Sequence, residues 1–151
     1  MAKRAMDYNE ELILSAAMIA ATVFFHAVVI SAIAALFRAT AKSVWGPMRF
    51  VRDAVILTLI SLVLMAAHLV EIAGWAVLFV RIDAFSAFEE ALYFSSAAYT
   101  TLGFGDVLLP DEWRLLGGAI AADGFLLFGL SAAFLFEIAA RLRLGGDRAH
   151  H

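Results

Sequence analysis

The chain has 151 residues, of which 64% are hydrophobic and 17% are charged, and its mean hydropathy is +0.88. Soluble domains contain far fewer apolar residues, so this composition indicates a membrane protein. The net charge of −3 and the scattered basic residues argue against a nucleic-acid-binding surface. Since the chain has no cysteine, disulfides and thiolate metal sites are excluded.

Three long apolar runs predict three membrane-spanning helices, at residues 13–37, 54–80 and 115–140. A helix rises 1.5 Å per residue, so about 20 apolar residues cross about 30 Å of hydrocarbon. The first run is longer than the apolar core of a cleaved signal peptide, although the pair Ala34-Ala35 leaves cleavage open as an alternative.

A shorter stretch, residues 86–99, precedes the sequence TTLGFGD at residues 100–106. Ser86, followed three residues later by Glu89, has the spacing of a capping box and predicts the start of a short helix. The alternate glycines Gly103 and Gly105 permit backbone conformations in which successive carbonyls face a common axis. Non-helical backbone at membrane depth lies within protein or lines an aqueous path, and we expect such a path here.

The glycine-containing stretch resembles the selectivity filter of tetrameric potassium channels, whose usual form is TVGYG. The sequence ALYFS at residues 91–95 resembles the family's pore helix, and Arg114, Gly124 and Gly129 match its inner-helix pattern. The resemblance covers about residues 54–143. It implies an all-α membrane protein in which two spanning helices, a re-entrant pore helix and a filter loop form a potassium-selective, homotetrameric pore. The first of the three spanning helices is an addition to the simplest members of the family.

The resemblance also implies the ion-binding residues. The expected ion is K⁺, bound by the backbone carbonyls of residues 101–104 and by the Thr101 hydroxyl, and no organic cofactor is expected. The filter residues are Thr101, Leu102, Gly103, Phe104 and Gly105. Leu102 and Phe104 replace the usual valine and tyrosine, and Phe104 lacks the hydroxyl that tethers the family's filter.

Three residues are expected to support the filter from behind: Tyr93, Phe94 and Asp106. In the family, the carboxylate after the last filter glycine forms hydrogen bonds to a pore-helix tryptophan and a carboxylic acid. The matching positions here hold Tyr93 and Ala97, so Tyr93 is the one partner expected for Asp106.

The inner-helix pattern predicts a hinge at Gly124 and a cavity lined by the residues that follow it. The cavity or gate candidates are Gly124, Phe125, Phe128, Ala132 and Phe136. Two interpretations stay open for the phenylalanines: a hydrophobic constriction that gates by dewetting, or ordinary packing.

Ionisable residues within the spans are functional candidates, because charge at membrane depth is costly. Asp123 is expected to face the second span, where His68 and Glu71 lie one turn apart. We expect a contact between His68 and Asp123, with Glu71 nearby or exposed, acting either as a structural pair or as a pH-sensitive switch. His26 is expected to be an isolated polar contact, because the histidines show no metal-binding spacing.

The distribution of basic residues predicts the orientation of the chain. Seven lie on one side of the predicted membrane: Arg38, Lys42, Arg49, Arg52, Arg141, Arg143 and Arg148. Four lie on the other: Lys3, Arg4, Arg81 and Arg114. The chain is therefore expected in the plasma (cell inner) membrane with its C-terminus in the cytoplasm and its N-terminus and the filter mouth outside.

The predicted organisation is a first helix and basic loop (1–53), a pore domain (54–143) and a polar tail (144–151). Expected partners are membrane lipids and further copies of the chain, with no nucleic acid. Two alternative functions stay open: a weakly selective Na⁺/K⁺ channel of the same fold, and a non-conducting scaffold or modulatory subunit. An enzyme is not expected, because no nucleophile–base or metal constellation is visible.

Overall fold

A computed structural model describes residues 8–40 and 48–147. The described chain forms four α-helices: α1 (Tyr8–Thr40), α2 (Met48–Arg81), α3 (Phe88–Tyr99) and α4 (Arg114–Asp147). A single 3₁₀ turn, Asp111–Trp113, leads into α4. The pair Gly46-Pro47, which predicts the end of a helix because the residue before proline avoids the α region, lies outside the described residues.

The three predicted spans are confirmed. Helices α1, α2 and α4 are long and apolar enough to cross a membrane, whereas α3 has 12 residues. The protein is therefore an all-helical integral membrane protein. Each spanning helix begins before and ends after its predicted apolar run, because polar residues at the ends of a span can continue the helix beyond the hydrocarbon. Helices α2 and α4 accordingly cross the expected boundaries at residues 53 and 143.

The predicted capping box at the start of α3 is wrong. The N-cap is Ala87, which has an extended backbone (φ −120°, ψ 137°) and makes no side-chain capping bond. Ser86 therefore lies one residue too early to satisfy the free N–H groups of the first turn. Glu89 and Glu90 still lie in that turn, where negative charge is favourable.

Helix α1 is apolar towards the membrane and polar towards the protein. Its four fully buried side chains are all polar: Glu11, Ser15, Thr22 and His26. At 3.6 residues per turn these positions fall on one face, and large apolar residues such as Phe24 and Leu36 are exposed on the others. The sequence leaves open whether the first helix packs peripherally or contacts a neighbouring subunit, and the structure places its polar face against α4 and α2 of the same chain.

The ends of the helices fix which of them share a side of the bundle. Glu11 of α1 accepts hydrogen bonds from the backbone N–H groups of Leu115 and Leu116, at 2.9 and 3.2 Å, and so caps α4. At the opposite end, Arg49 of α2 donates to the carbonyl of Leu142 at 2.6 Å. The start of α1 and the start of α4 therefore lie together, on the side opposite the start of α2.

The main apolar core lies between α2, α3 and α4, and it fixes the short helix in place. Its fully buried side chains include Trp75, Phe79, Tyr99, Leu116, Ile120 and Leu127. Packing between helices in a membrane depends on close contact, because lipid tails are as apolar as the side chains. At Gly124 this contact is so close that an added Cβ would overlap the carbonyl of Tyr99, so α3 ends directly against α4.

Candidate functional site

The segment after α3 has an alternating backbone. Thr101, Gly103 and Gly105 all have positive φ, at 60°, 53° and 76°. Glycine adopts this conformation freely, but a β-branched threonine rarely does, and such strain costs about 1–3 kcal/mol. Strain of this kind concentrates at functional sites. Residues 101–106 are exposed in the single chain, so this strained backbone is presented at the surface of the subunit.

Hydrogen bonds hold the segment by its N–H groups. The N–H of Thr101 donates to the carbonyl of Ala98, while those of Leu102 and Gly103 donate to the carbonyl of Ala97, at 2.9 to 3.1 Å. No backbone hydrogen bond within the described residues uses a carbonyl of residues 101–104 as its acceptor. Helix α3 therefore fixes the segment and leaves these carbonyls available to a ligand.

The expected contact between Tyr93 and Asp106 is present. The Tyr93 hydroxyl donates to Asp106 Oδ2 at 2.7 Å. This hydrogen bond holds the pKa of the Asp106 carboxyl below its usual value and raises the pKa of the Tyr93 hydroxyl. Asp106 thus keeps its negative charge beside the last filter glycine.

Phe94 supports the site indirectly, through the packing of α3. Its ring packs against Phe79 and Phe85, with centroids 5.4 and 5.3 Å apart, and approaches Gly117 of α4. These contacts fasten the middle of α3 to its neighbours, so Phe94 holds the helix that positions the filter segment.

A family model described as "Ion channel" matches residues 65–141, which is just over half of the chain. The chain belongs to this ion channel family. The matched part begins within α2 and ends within α4, so it contains the pore helix and the segment with alternating φ. Comparison with curated proteins and with solved structures gave no match.

In this ion channel the cavity candidates of α4 divide into two groups. Phe125 and Phe136 are 75% and 78% exposed in the single chain, and Ala132 is exposed as well. Phe128 is half-buried, because its ring lies 4.2 Å from that of His68, centroid to centroid, and 5.6 Å from that of Tyr99. Phe128 thus lies against the polar centre of the bundle, unlike the two exposed phenylalanines.

Asp123 lies against α2, as expected, but the expected bond to His68 is wrong. Asp123 Oδ2 accepts hydrogen bonds from Trp75 Nε1 at 2.9 Å and from Thr22 Oγ1 at 2.8 Å. The side chain is 1% exposed. Asp123 therefore connects α4 to both α2 and α1, while His68 has other partners.

Glu71 and both intramembrane histidines form a buried network, which we call the Glu71 cluster: His26, His68, Glu71, Tyr99 and Ser131. His26 Nδ1 lies 2.8 Å from Glu71 Oε1, and His68 Nδ1 lies 3.1 Å from Glu71 Oε2. Tyr99 donates its hydroxyl to Glu71 Oε2 at 2.5 Å. Ser131 Oγ lies 2.9 Å from His26 Nε2 and 3.1 Å from His68 Nε2.

The cluster decides between the two alternatives for Glu71, which is 2% exposed and lies beside His68 instead of facing an outer interface. It also corrects the expectation for His26, which is not an isolated contact because it bonds to α2 and α4. Sequence spacing failed because the members come from four helices. His26 lies on the same face of α1 as Thr22, one turn earlier, and this polar face is the sequence pattern that would have predicted its buried position.

Proposed function

We propose that this ion channel is a potassium-selective channel in which four copies of the chain surround one conduction path. The observation that carries the proposal is the alternation of positive φ at Thr101, Gly103 and Gly105, directly after α3, whose residues Ala91, Ser95 and Tyr99 are buried. Alternation turns successive carbonyls to one side, and rings of carbonyls replace the hydration shell of K⁺ in filters of this type.

Several chains are needed because each chain contributes one filter strand. A ring of carbonyls closes when identical chains are arranged around an axis with head-to-tail contacts, and four fit the filter that this sequence resembles. The exposure of Leu102, Phe104 and Phe125 in the single chain supports this assembly, since large apolar groups next to the filter need cover. Membrane lipids would cover the outer faces of α1 and α2.

Each filter residue has a separate role in the proposal. The carbonyls of Thr101, Leu102, Gly103 and Phe104 and the Thr101 hydroxyl bind K⁺, while Gly105 completes the alternation. Asp106 and Tyr93 hold the outer end of the filter through their hydrogen bond. Gly124 allows α4 to support the inner end through Tyr99.

The proposed orientation combines the helix ends with the distribution of basic residues. Arg49 and Leu142 meet at one end of the bundle, and Glu11 and Leu115 meet at the other, where α4 begins after the filter. Among the described basic side chains, Arg38, Arg49, Arg52 and Arg141 lie at the end near Arg49, and Arg81 and Arg114 lie at the other end. The end near Arg49 would therefore face the cytoplasm. The filter mouth and the N-terminus would then face outward across the plasma membrane.

The test is a measurement of reversal potential for purified protein in planar bilayers under opposing K⁺ and Na⁺ gradients. Gly103→Ala has open space for a Cβ but would hold alanine at φ +53°, so the substitution strains the filter without a clash. Gly118→Ala is the matched control, since its Cβ also meets open space and Gly118 lies within helical α4. We expect a reversal near the K⁺ equilibrium potential for the parent and the control, and lost selectivity for Gly103→Ala.

A weakly selective Na⁺/K⁺ channel of the same fold is the second candidate, and one observation favours it. Leu102 and Phe104 replace the usual valine and tyrosine, and Phe104 lacks the hydroxyl that tethers the family's filter. A reversal near zero, with intact currents in the parent, would support this candidate. An absence of current in both gradients would instead favour a non-conducting subunit.

A further inference from the structure

The Glu71 cluster brings ligand atoms of the types that metal ions prefer into one small volume. One ligand atom from each of His26, His68 and Glu71 lies within 4.8 Å of the others. Both Nδ1 atoms face the carboxylate, at 2.8 and 3.1 Å. Tetrahedral zinc has bonds of about 2.0–2.1 Å to nitrogen and oxygen, which place neighbouring ligand atoms about 3.3 Å apart. Small side-chain shifts would therefore admit an ion.

The surroundings also match those of a metal site. When a metal takes both Nδ1 atoms, each histidine carries a hydrogen on Nε2 and needs an acceptor for it. Ser131 Oγ lies within 3.1 Å of both Nε2 atoms, and a hydroxyl oxygen can accept two hydrogen bonds. A fourth ligand is close by, because the Tyr99 hydroxyl lies 3.0 Å from His68 Nδ1 and 2.5 Å from Glu71 Oε2.

Without a metal, the contacts of the cluster require one more hydrogen than its side chains supply. With Glu71 ionised and both histidines neutral, the hydrogens on the two Nδ1 atoms serve the carboxylate. Both Nε2 atoms are then acceptors facing Ser131, whose hydroxyl can donate to one of them. One buried contact would lack a hydrogen unless the cluster takes up a further proton, and a metal at Nδ1 removes this deficit.

The charges of the buried carboxylates also favour a bound cation. Glu71 and Asp123 are both buried at membrane depth, and among the described residues no lysine or arginine is buried with them. Asp123 Oδ1 has no hydrogen-bond partner in the described chain. A divalent cation held by neutral histidines would balance these two carboxylates, and uncompensated charge is costly in a membrane.

We propose that His26, His68 and Glu71 form an intramembrane binding site for a divalent transition-metal ion such as Zn²⁺, with Tyr99 as the fourth ligand and Ser131 as the shared partner of the histidines. Two histidines and a carboxylate are a donor set that zinc accepts. The ion would join α1, α2 and the last residue of the pore helix, two residues before Thr101. The site does not depend on which ion the channel conducts.

The test uses the full chain in detergent, with His150 and His151 replaced by alanine in every version so that terminal histidines bind no metal. The protein is loaded with Zn²⁺, freed of excess ion, and analysed for zinc per chain by mass spectrometry. Loading with Co²⁺ instead reports geometry, because tetrahedral cobalt absorbs intensely in the visible range. We expect one ion per chain and a tetrahedral cobalt spectrum.

Two variants and one control locate the ion. His26→Gln should lose the ion or weaken its affinity at least tenfold in competition with a chelator. Ser131→Ala, which keeps all three ligands, should weaken the affinity about 10–100-fold. Ser15→Ala is the matched control and should keep one ion, since Ser15 is a buried hydroxyl on α1 that bonds within its own helix.

The outcomes that overturn the proposal do not require any variant to conduct ions. A parent protein that retains no zinc and gives no tetrahedral cobalt spectrum holds a purely hydrogen-bonded cluster, and the metal site is refuted. Equal zinc content and affinity in the parent and in a helical, monodisperse Ser131→Ala or His26→Gln protein would place the ion elsewhere. A site that binds zinc in a protein without potassium current would refute the proposed function alone.

Discussion

Residues 100–106, the proposed filter segment, and the Glu71 cluster are held together in opposite ways. The filter segment is exposed and is fixed by main-chain hydrogen bonds to residues at most six positions away in sequence. The cluster is buried and is fixed by side chains that are up to 105 positions apart. Local bonding allows one short motif to specify the filter, whereas the cluster exists only when four helices have assembled.

The two regions meet at Tyr99. Its carbonyl lies against Gly124, its hydroxyl binds Glu71, and the filter segment begins immediately after it. Because one residue takes part in both regions, a change in either can be measured in the other.

Gly124→Ala should cause the largest loss, because the new Cβ would overlap the carbonyl of Tyr99 and push α3 away from α4. Overpacking of this kind costs about 1–3 kcal/mol or more. We expect a lower unfolding temperature in detergent together with reduced ion selectivity. Gly129→Ala is the control, since its Cβ meets open space in the same helix. Loss of stability with unchanged selectivity would show that the two regions are independent.

Trp75→Phe should weaken the contact between α2 and Asp123 of α4 and leave residues 100–106 unchanged. The change removes the hydrogen bond to Asp123, and a bond to a charged group contributes about 1–3 kcal/mol. Trp113→Phe is the control, because Trp113 is also buried but its indole N–H has no partner within the described chain. Unfolding free energies of both variants, and of Trp75→Phe combined with Thr22→Val, would measure the coupling at Asp123. Equal losses at the two tryptophans would contradict a role for this bond.

Glu11→Gln should have a smaller effect, because the amide oxygen can still accept the N–H groups of Leu115 and Leu116 while the charge is lost. Negative charge at a helix start contributes about 0.3–1 kcal/mol, and more in partly buried geometries. Glu10→Gln, an exposed neighbour in the same turn, should leave the unfolding free energy unchanged. If both variants lose equally, the cap on α4 does not stabilise the bundle.

Tyr93→Phe should leave stability nearly unchanged and alter the pH response of the filter. The hydrogen bond lowers the pKa of Asp106, so its contribution is present above the ordinary carboxyl pKa and is lost as the pH falls through the lowered value. Without the hydroxyl, Asp106 takes up its proton at a higher pH. Currents recorded while the outer solution is acidified should therefore decline at a higher pH in the variant.

Asp111→Asn is the control for this shift, because it removes a charge from the outer turn, where Asp111 pairs with Arg114, and leaves the Tyr93 contact intact. Identical acid profiles for Tyr93→Phe and the parent channel would rule out Asp106 as the group that titrates.

The parts of the structure that depend on local sequence could be predicted. Runs of apolar residues identified the three spans, and the spacing of Gly103 and Gly105 indicated a backbone conformation that other residues rarely adopt, because both depend on neighbouring residues. The positive φ of Thr101 had no such signal, since threonine normally avoids it. The start of α3 was missed because Ser86 and Glu89 match a capping box in spacing, while the backbone stays extended through Ala87.

The partners of the buried polar residues could be predicted only in part. The cost of charge in a membrane identified Asp123, His68 and Glu71 as important, but it did not determine which of them touch. That depends on the rotation of each helix, and α1 supplied His26 and Thr22 where the sequence suggested a contact between α2 and α4. A polar face on an otherwise apolar span is the sequence pattern that predicts this rotation.

The polar face of α1 has a consequence for how the channel can be divided. The family match begins within α2, which suggests a pore unit with α1 as an addition. Yet removal of α1 would leave Asp123 without Thr22, Glu71 without His26, and the start of α4 without its cap. These three polar sites would then lose their cover together. The region that matches the family model therefore depends on α1 for these polar contacts, and we expect a variant that lacks α1 to be less stable than the full chain.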